Sequence, residues 1–140
     1  VCSPRHGVVV RRLRQRRLAR AVVREDLLAT LYRLSESGEP SAAVASVVEG
    51  RAPRLARAAL RVSEKRGDLE VEGGRVRLTD RGRRLAKSLI RRHRLWEHYL
   101  VDKAGLLPDH VHGTAELLEH LETLPPEGPA LDPHGREIPE

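Results

Sequence analysis

Residues of metal-ligand type gather between Arg91 and His120, in R-R-H-R-L-W-E-H-Y-L, a short break at Leu107-Pro108-Asp109-His110, and V-H-G-T-A-E-L-L-E-H. On a helix, side chains three and four residues apart share a face. His93 and Glu97 therefore point the same way, as do Glu116, Glu119 and His120. His112 precedes Glu116 by one turn and can serve either cluster. Imidazole with carboxylate and no thiolate suits Mn(II), Fe(II) or Zn(II) better than a structural zinc knuckle, which ordinarily uses Cys. The same spacing also fits two solvated amphipathic helices carrying ordinary surface Glu and His. Spacing alone leaves both open.

The elements that must hold these residues follow from composition. The chain of 140 residues has Tyr32, Trp96 and Tyr99 as its only aromatics, so its core has to be Leu, Val and Ala packed between helices. A mainly α fold follows. A net charge of +6 makes an acidic partner plausible, whether nucleic acid or anionic lipid. The single Cys2 excludes an internal disulfide and fits a reducing compartment. No window approaches eighteen apolar residues and no signal peptide is readable. The chain has no Met and opens on Val1, which points to a segment cut away upstream.

Val1 to Arg24 carries eight Arg and no acidic residue. Such a block serves as a nucleic-acid arm, a membrane-surface helix, the cytoplasmic flank of a transmembrane helix, or a basic tail without a partner. From Glu25 the pattern is helical, with Asp26 in the first turn and Leu27, Leu28, Leu31, Tyr32 and Leu34 as the apolar stripe, until Gly38-Glu39-Pro40. Ser41 can cap a second helix over Ala42 to Glu49, and Pro53 can open a third reaching about Arg66. This pair is a helix-turn-helix arrangement. In the third helix, Leu55, Ala59 and Val62 are expected to face inward and Arg54, Arg57 and Arg61 outward, where they are the candidate nucleic-acid contacts. Its Ala-rich start lacks the Ser, Thr, Asn or Gln that often read base edges.

After Gly67 the apolar period changes from 3.6 to 2. Leu69 and Val71, the turn Gly73-Gly74, and Val76 and Leu78 spell a β-hairpin wing. Thr79 caps the next helix, which leads towards Leu100 and the metal-type residues. Beyond His120 the Pro-rich tail reads as too broken for regular structure. The resulting organisation is a basic flank over 1–24, a winged helix-turn-helix over 25–82, a helical metal-binding and dimerisation-like region over 83–122 and a Pro-rich segment over 123–140. No nucleophile with a base partner and no phosphate loop is present, so an enzyme finds no support.

Taken in order, the helix-turn-helix, the wing, R-L-T-D-R-G-R-R-L-A, R-R-H-R-L-W-E-H-Y-L, P-D-H-V-H, E-L-L-E-H and D-P-H-G-R-E-I-P resemble the iron- and manganese-dependent repressors of the diphtheria toxin repressor type, over about Glu25 to Glu140. The resemblance implies two adjacent divalent-metal sites. Asp26, Glu116, Glu119 and His120 match the primary one, and His93, Glu97 and His112 the ancillary one. Glu116 stands where iron-type members carry Cys and Asp26 where they carry Met, nearer the manganese type, which however has a Glu at the position of Ala29. The family also has a further helix before the D-P-H-G segment, where this chain has only Leu121 to Leu131 with three prolines.

The flanking segments, Cys2-Ser3-Pro4-Arg5-His6-Gly7 with the Arg-rich helix and R-E-D-L-L, are similar to a cytoplasmic extension on some manganese, zinc or iron ABC-transporter permeases. That resemblance implies a metal-sensing domain on the cytoplasmic side of the cell membrane, with the permease's membrane domain and anionic lipid as partners. The alternative is a soluble cytoplasmic metal-dependent repressor that binds DNA through its winged helix. A homodimer is compatible with both.

Overall fold

The computed structural model describes residues 4–118 and 129–139, with side chains from 15 onward except those of 109 and 116–118. The chain divides into two compact units, Val1–Arg83 and Arg84–Glu140.

The first unit opens with α1, Pro4–Glu36. The helix expected from Glu25 thus starts some twenty residues earlier and runs unbroken through the basic block. Between Gly7 and Gly38 there is neither Gly nor Pro, and Arg, Ala and Leu are good helix formers. What begins near residue 25 is burial: Leu27, Leu28 and Leu31 are enclosed, whereas residues 15–21 are exposed. The apolar stripe marks where α1 meets the core and not where it starts. It stops at Gly38, whose φ of 91° only Gly adopts easily, with the Glu39 N–H bonded back to the Leu34 carbonyl at 2.9 Å.

Ser41 does not cap a helix. It opens β1, Ser41–Ala43, and α2 is only Val44–Val48. α3 follows over Pro53–Lys65, and β2 (Leu69–Glu72) and β3 (Arg75–Leu78) form the wing. The sheet order is β1-β3-β2, all antiparallel, with Ser41 opposite Arg77 and Leu69 opposite Leu78. β1 takes the open edge of β3, where the Arg75 guanidinium donates to the Ser41 hydroxyl at 2.9 Å and to its carbonyl at 2.6 Å. Pairing across 34 residues outcompetes a local cap. Gly73 and Gly74, at φ 56° and 75°, make the two-residue turn of the wing.

α3 packs on α1 and buries Ala56, Ala59, Leu60 and Ser63. Of the residues expected inward, Ala59 is buried and Leu55 half-buried, but Val62 is 42% exposed. Burying small Ala side chains on this face lets two helix backbones approach closely, which rotates Val62 outward. Arg54, Arg57 and Arg61 are exposed, as expected.

Asp68 ties the unit together. Its fully buried carboxylate receives Arg24 of α1 at 2.5 Å and Arg81 at 3.2 Å. Arg81 lies in the first turn of α4, Asp80–Asp102, which Thr79 caps through its hydroxyl and the Gly82 N–H at 3.1 Å. A Cβ on Gly82 would stand 1.8 Å from the Asp68 carbonyl oxygen, so this close crossing requires glycine.

In the second unit α4 buries Ala86, Leu89, Ile90, Leu95 and Leu100. A 3₁₀ turn, Pro108–His110, leads to α5, His112–Leu118, whose Val111 approach and Ala115 pack against Leu100, Trp96 and Val101. The Pro-rich tail is more regular than expected over 129–139. Leu131 and Glu137 form an antiparallel bridge around Asp132, whose carboxylate accepts the backbone N–H groups of His134 and Arg136, both at 2.9 Å. Arg91 donates to the Pro139 carbonyl at 2.9 Å, Arg94 donates to that of Glu137, and Ile138 is buried. Long Arg side chains of α4 satisfy carbonyls that a Pro-rich strand leaves unpaired. Among the described residues no helix is long and apolar enough to cross a membrane.

Candidate metal centre

α4 presents His93 and Glu97 one turn apart, with His93 Nε2 at 3.2 Å from Glu97 Oε1. The 3₁₀ turn then reverses the chain so that His112, first in α5, places Nδ1 at 3.0 Å from the same oxygen and 3.1 Å from His93 Nε2. Two imidazole nitrogens and a carboxylate oxygen thus converge. Ligand atoms held about 2.1 Å from a common ion stand roughly 3.0–3.4 Å from one another, so the triangle matches what a divalent cation requires. His93 and Glu97 are buried, whereas the side chain of His112 is about half exposed. An open depression of about 500 Å³ lined by Pro108, His112, His134 and Arg136 gives entry.

Burial pushes the Glu97 carboxyl towards the neutral form, but hydrogen bonds from His93 and His112 and the charges of His93 and Arg136 outweigh it and bring its pKa to about 2. Glu97 is an anion at any physiological pH, the state a metal needs.

Three further residues reach the site from the tail. Arg136 Nη2 stands 3.2 Å from Glu97 Oε2, on the side away from the histidines' shared oxygen, and its Nε is held by Asp132 at 2.8 Å. His134 Nε2 lies 3.9 Å from Glu97 Oε1. No helical spacing links 134 and 136 to 97. The D-P-H-G-R segment itself was the one visible sign of them.

The second expected cluster is described only in part. Asp26 is half-buried on α1 in the first unit, with Ala29 buried one turn on. Glu116 lies in α5 with its side chain outside the described residues, and Glu119 and His120 lie outside them altogether.

A winged helix followed in the chain by a helical unit with a His/Glu/His triangle defines a winged-helix protein with a candidate metal centre. Residues 79–123 match the family described as iron dependent repressor, metal binding and dimerisation domain. A probable metal transport system membrane protein of Chlamydia trachomatis is 44% identical over 70 residues, covering 44% of this chain and 16% of that protein. The iron-dependent repressor IdeR of Mycobacterium tuberculosis is 38% identical over 100 residues, 69% of this chain and 43% of the repressor. A manganese-dependent transcriptional repressor, solved in complex with manganese, superposes with a TM-score of 0.71 at 31% identity over 84% of this chain and 58% of its own.

The chain carries an iron-dependent repressor domain of the diphtheria toxin repressor type, a regulatory and not an enzymatic family. It spans less than half the length of both curated relatives.

Proposed function

We propose that this chain is the cytoplasmic metal-sensing domain of a divalent-metal ABC-transporter permease, in which His93, Glu97 and His112 hold Mn(II), Fe(II) or Zn(II). The observation that carries the metal assignment is the buried, ionised Glu97 shared by two imidazoles at 3.0 and 3.2 Å. His134 extends the donor set, and Arg136 supplies positive charge to Glu97 Oε2. A bound cation brings charge that fixes the ligands, so α4, the start of α5 and the 129–139 turn become one ordered body around it. Asp26, Glu116, Glu119 and His120 are proposed as the second set.

The transport side of the reading is supported by the 44% identity to the chlamydial membrane protein and by the character of α3. Its exposed face offers Arg54, Arg57 and Arg61 for phosphate, beside Ala58 and Val62, with no amide or hydroxyl side chain for base edges. The proposed partners are the membrane domain of the same permease, anionic lipid for the basic half of α1, and a second copy of the domain.

A soluble metal-dependent repressor is the second reading, favoured by the likeness to IdeR and to the manganese-dependent repressor. Vesicle co-sedimentation near 0.15 M salt, where only close charge contacts survive, separates the two. Acidic but not neutral vesicles should bind the chain, and deletion of residues 1–20 should abolish this while the metal-induced rise in Tm remains. A metal-dependent footprint on a palindromic duplex, with no vesicle binding, establishes the repressor instead.

A further inference from the structure

In the first unit the Arg17–Arg24 stretch of α1 and the face of α3 with Ala58 and Val62 leave between them a groove of about 480 Å³. Arg17, Arg20 and Arg24 enter it from α1 and Arg66 from the end of α3, and no acidic side chain lines it. Its floor is apolar and shallow-chained, made by Ala21, Ala58 and Val62. Val62 is the residue that the packing of α3 turns outward, 42% exposed. Arg24 adds a second observation. Its terminal nitrogen is engaged by Asp68, yet its Nε is buried without an acceptor.

Arg24 is already paired with Asp68, which leaves the guanidinium groups of Arg17, Arg20 and Arg66 around an uncharged floor with no carboxylate among the residues that line it. A phosphodiester of nucleic acid would satisfy the charges but gains nothing from Ala58 and Val62. An amphiphile whose phosphate is attached to apolar carbon satisfies both. We propose that the α1–α3 groove is a binding site for an acidic phospholipid, its phosphate held by Arg17, Arg20 and Arg66 and its glycerol and first acyl carbons lying over Ala58 and Val62. The proposal rests on the membrane-side reading above and deepens it, since it gives the anionic lipid a specific seat in place of diffuse attraction. It also puts lipid beside the helix that offers Arg54, Arg57 and Arg61, so that lipid and duplex DNA compete for one side of the unit.

The test is calorimetric titration of the full chain, near 0.15 M salt, with short-chain phosphatidylglycerol below its micelle concentration. Short-chain phosphatidylcholine and inorganic phosphate are the comparison ligands. Phosphatidylglycerol should bind, phosphatidylcholine should not, and inorganic phosphate should be at least tenfold weaker. Val62→Asp and the surface variant Arg17→Ala/Arg20→Ala should each weaken phosphatidylglycerol at least tenfold, whereas Arg54→Ala should not. An unchanged metal-induced rise in Tm verifies that the variants fold. Equal affinity for inorganic phosphate, or phosphatidylglycerol binding indifferent to both groove variants, overturns the site. So does duplex DNA binding that depends on Arg17 and Arg20 while the lipid does not bind. If the groove fails but acidic vesicles still bind and metal still raises Tm, the membrane-side reading stands without it. If the metal response and the vesicle binding are both absent, that reading falls first.

Discussion

Glu97→Gln keeps the shape of the side chain and removes its charge. In the native chain the carboxyl titrates at about 2 instead of an ordinary 4.5, because His93, His112 and Arg136 together outweigh its burial. At 1.36 kcal/mol per pH unit the ionised form is favoured by roughly 3 kcal/mol. A Gln amide recovers about 1 kcal/mol through a hydrogen bond to one imidazole, leaving a net loss of about 2 kcal/mol at neutral pH. For a chain of this size that lowers Tm by about 6–8 °C. The sign with pH follows from a depressed carboxyl pKa. The stabilisation is complete above 4.5 and is lost as pH falls towards 2, so the Tm values of wild type and Glu97→Gln should converge in acid. Metal supplies the second arm. At a hundred times Kd, Mn(II) or Zn(II) should stabilise the wild type by about 2.7 kcal/mol, and Glu97→Gln should show no such rise. Differential scanning calorimetry from pH 3 to 7, with and without metal, reads both arms. A metal-induced rise that survives Glu97→Gln, or a Tm gap that does not close in acid, would refute the assignment of this carboxylate as the centre of the site.

His134 stands farther from Glu97 than the two principal histidines, so His134→Ala should weaken metal binding by about tenfold, against near-complete loss for His93→Ala or His112→Ala, read by competition with a chromogenic chelator. Gly82→Ala drives a methyl into the Asp68 carbonyl and should cost several kcal/mol, seen as loss of the soluble folded chain, while Gly113→Ala, with open space around its Cα, should be silent in Tm. Replacing Arg54, Arg57 and Arg61 together by Ala should reduce the slope of log affinity for duplex DNA against log salt by about 3, equally for all sequences, and a sequence-selective loss would instead mark these residues as base readers.

Much of the fold is legible along the chain where the signals are local. Gly73-Gly74 between alternating strands makes a hairpin, Thr79 three residues before Gly82 makes a cap, and His93 four residues before Glu97 makes a shared helical face. Interactions over two to four residues are set by backbone geometry alone. What tertiary structure decided lies at longer range. Ser41 became a strand because β3 offered an edge 34 residues away, and α1 continued through its basic half because nothing local ended it while only its second half met the core. Val62 faced outward once Ala56 and Ala59 took the buried face of α3. The candidate metal centre shows the same division: the sequence by itself determined the His93–Glu97 half, by helical period. His112 arrived through a 3₁₀ reversal, and Arg136 from 39 residues away through a turn organised by Asp132. No spacing rule reaches across a reversal of chain direction. The buried charge of Glu97 does, since a desolvated carboxylate must gather cationic and hydrogen-bonding partners from wherever the fold brings them.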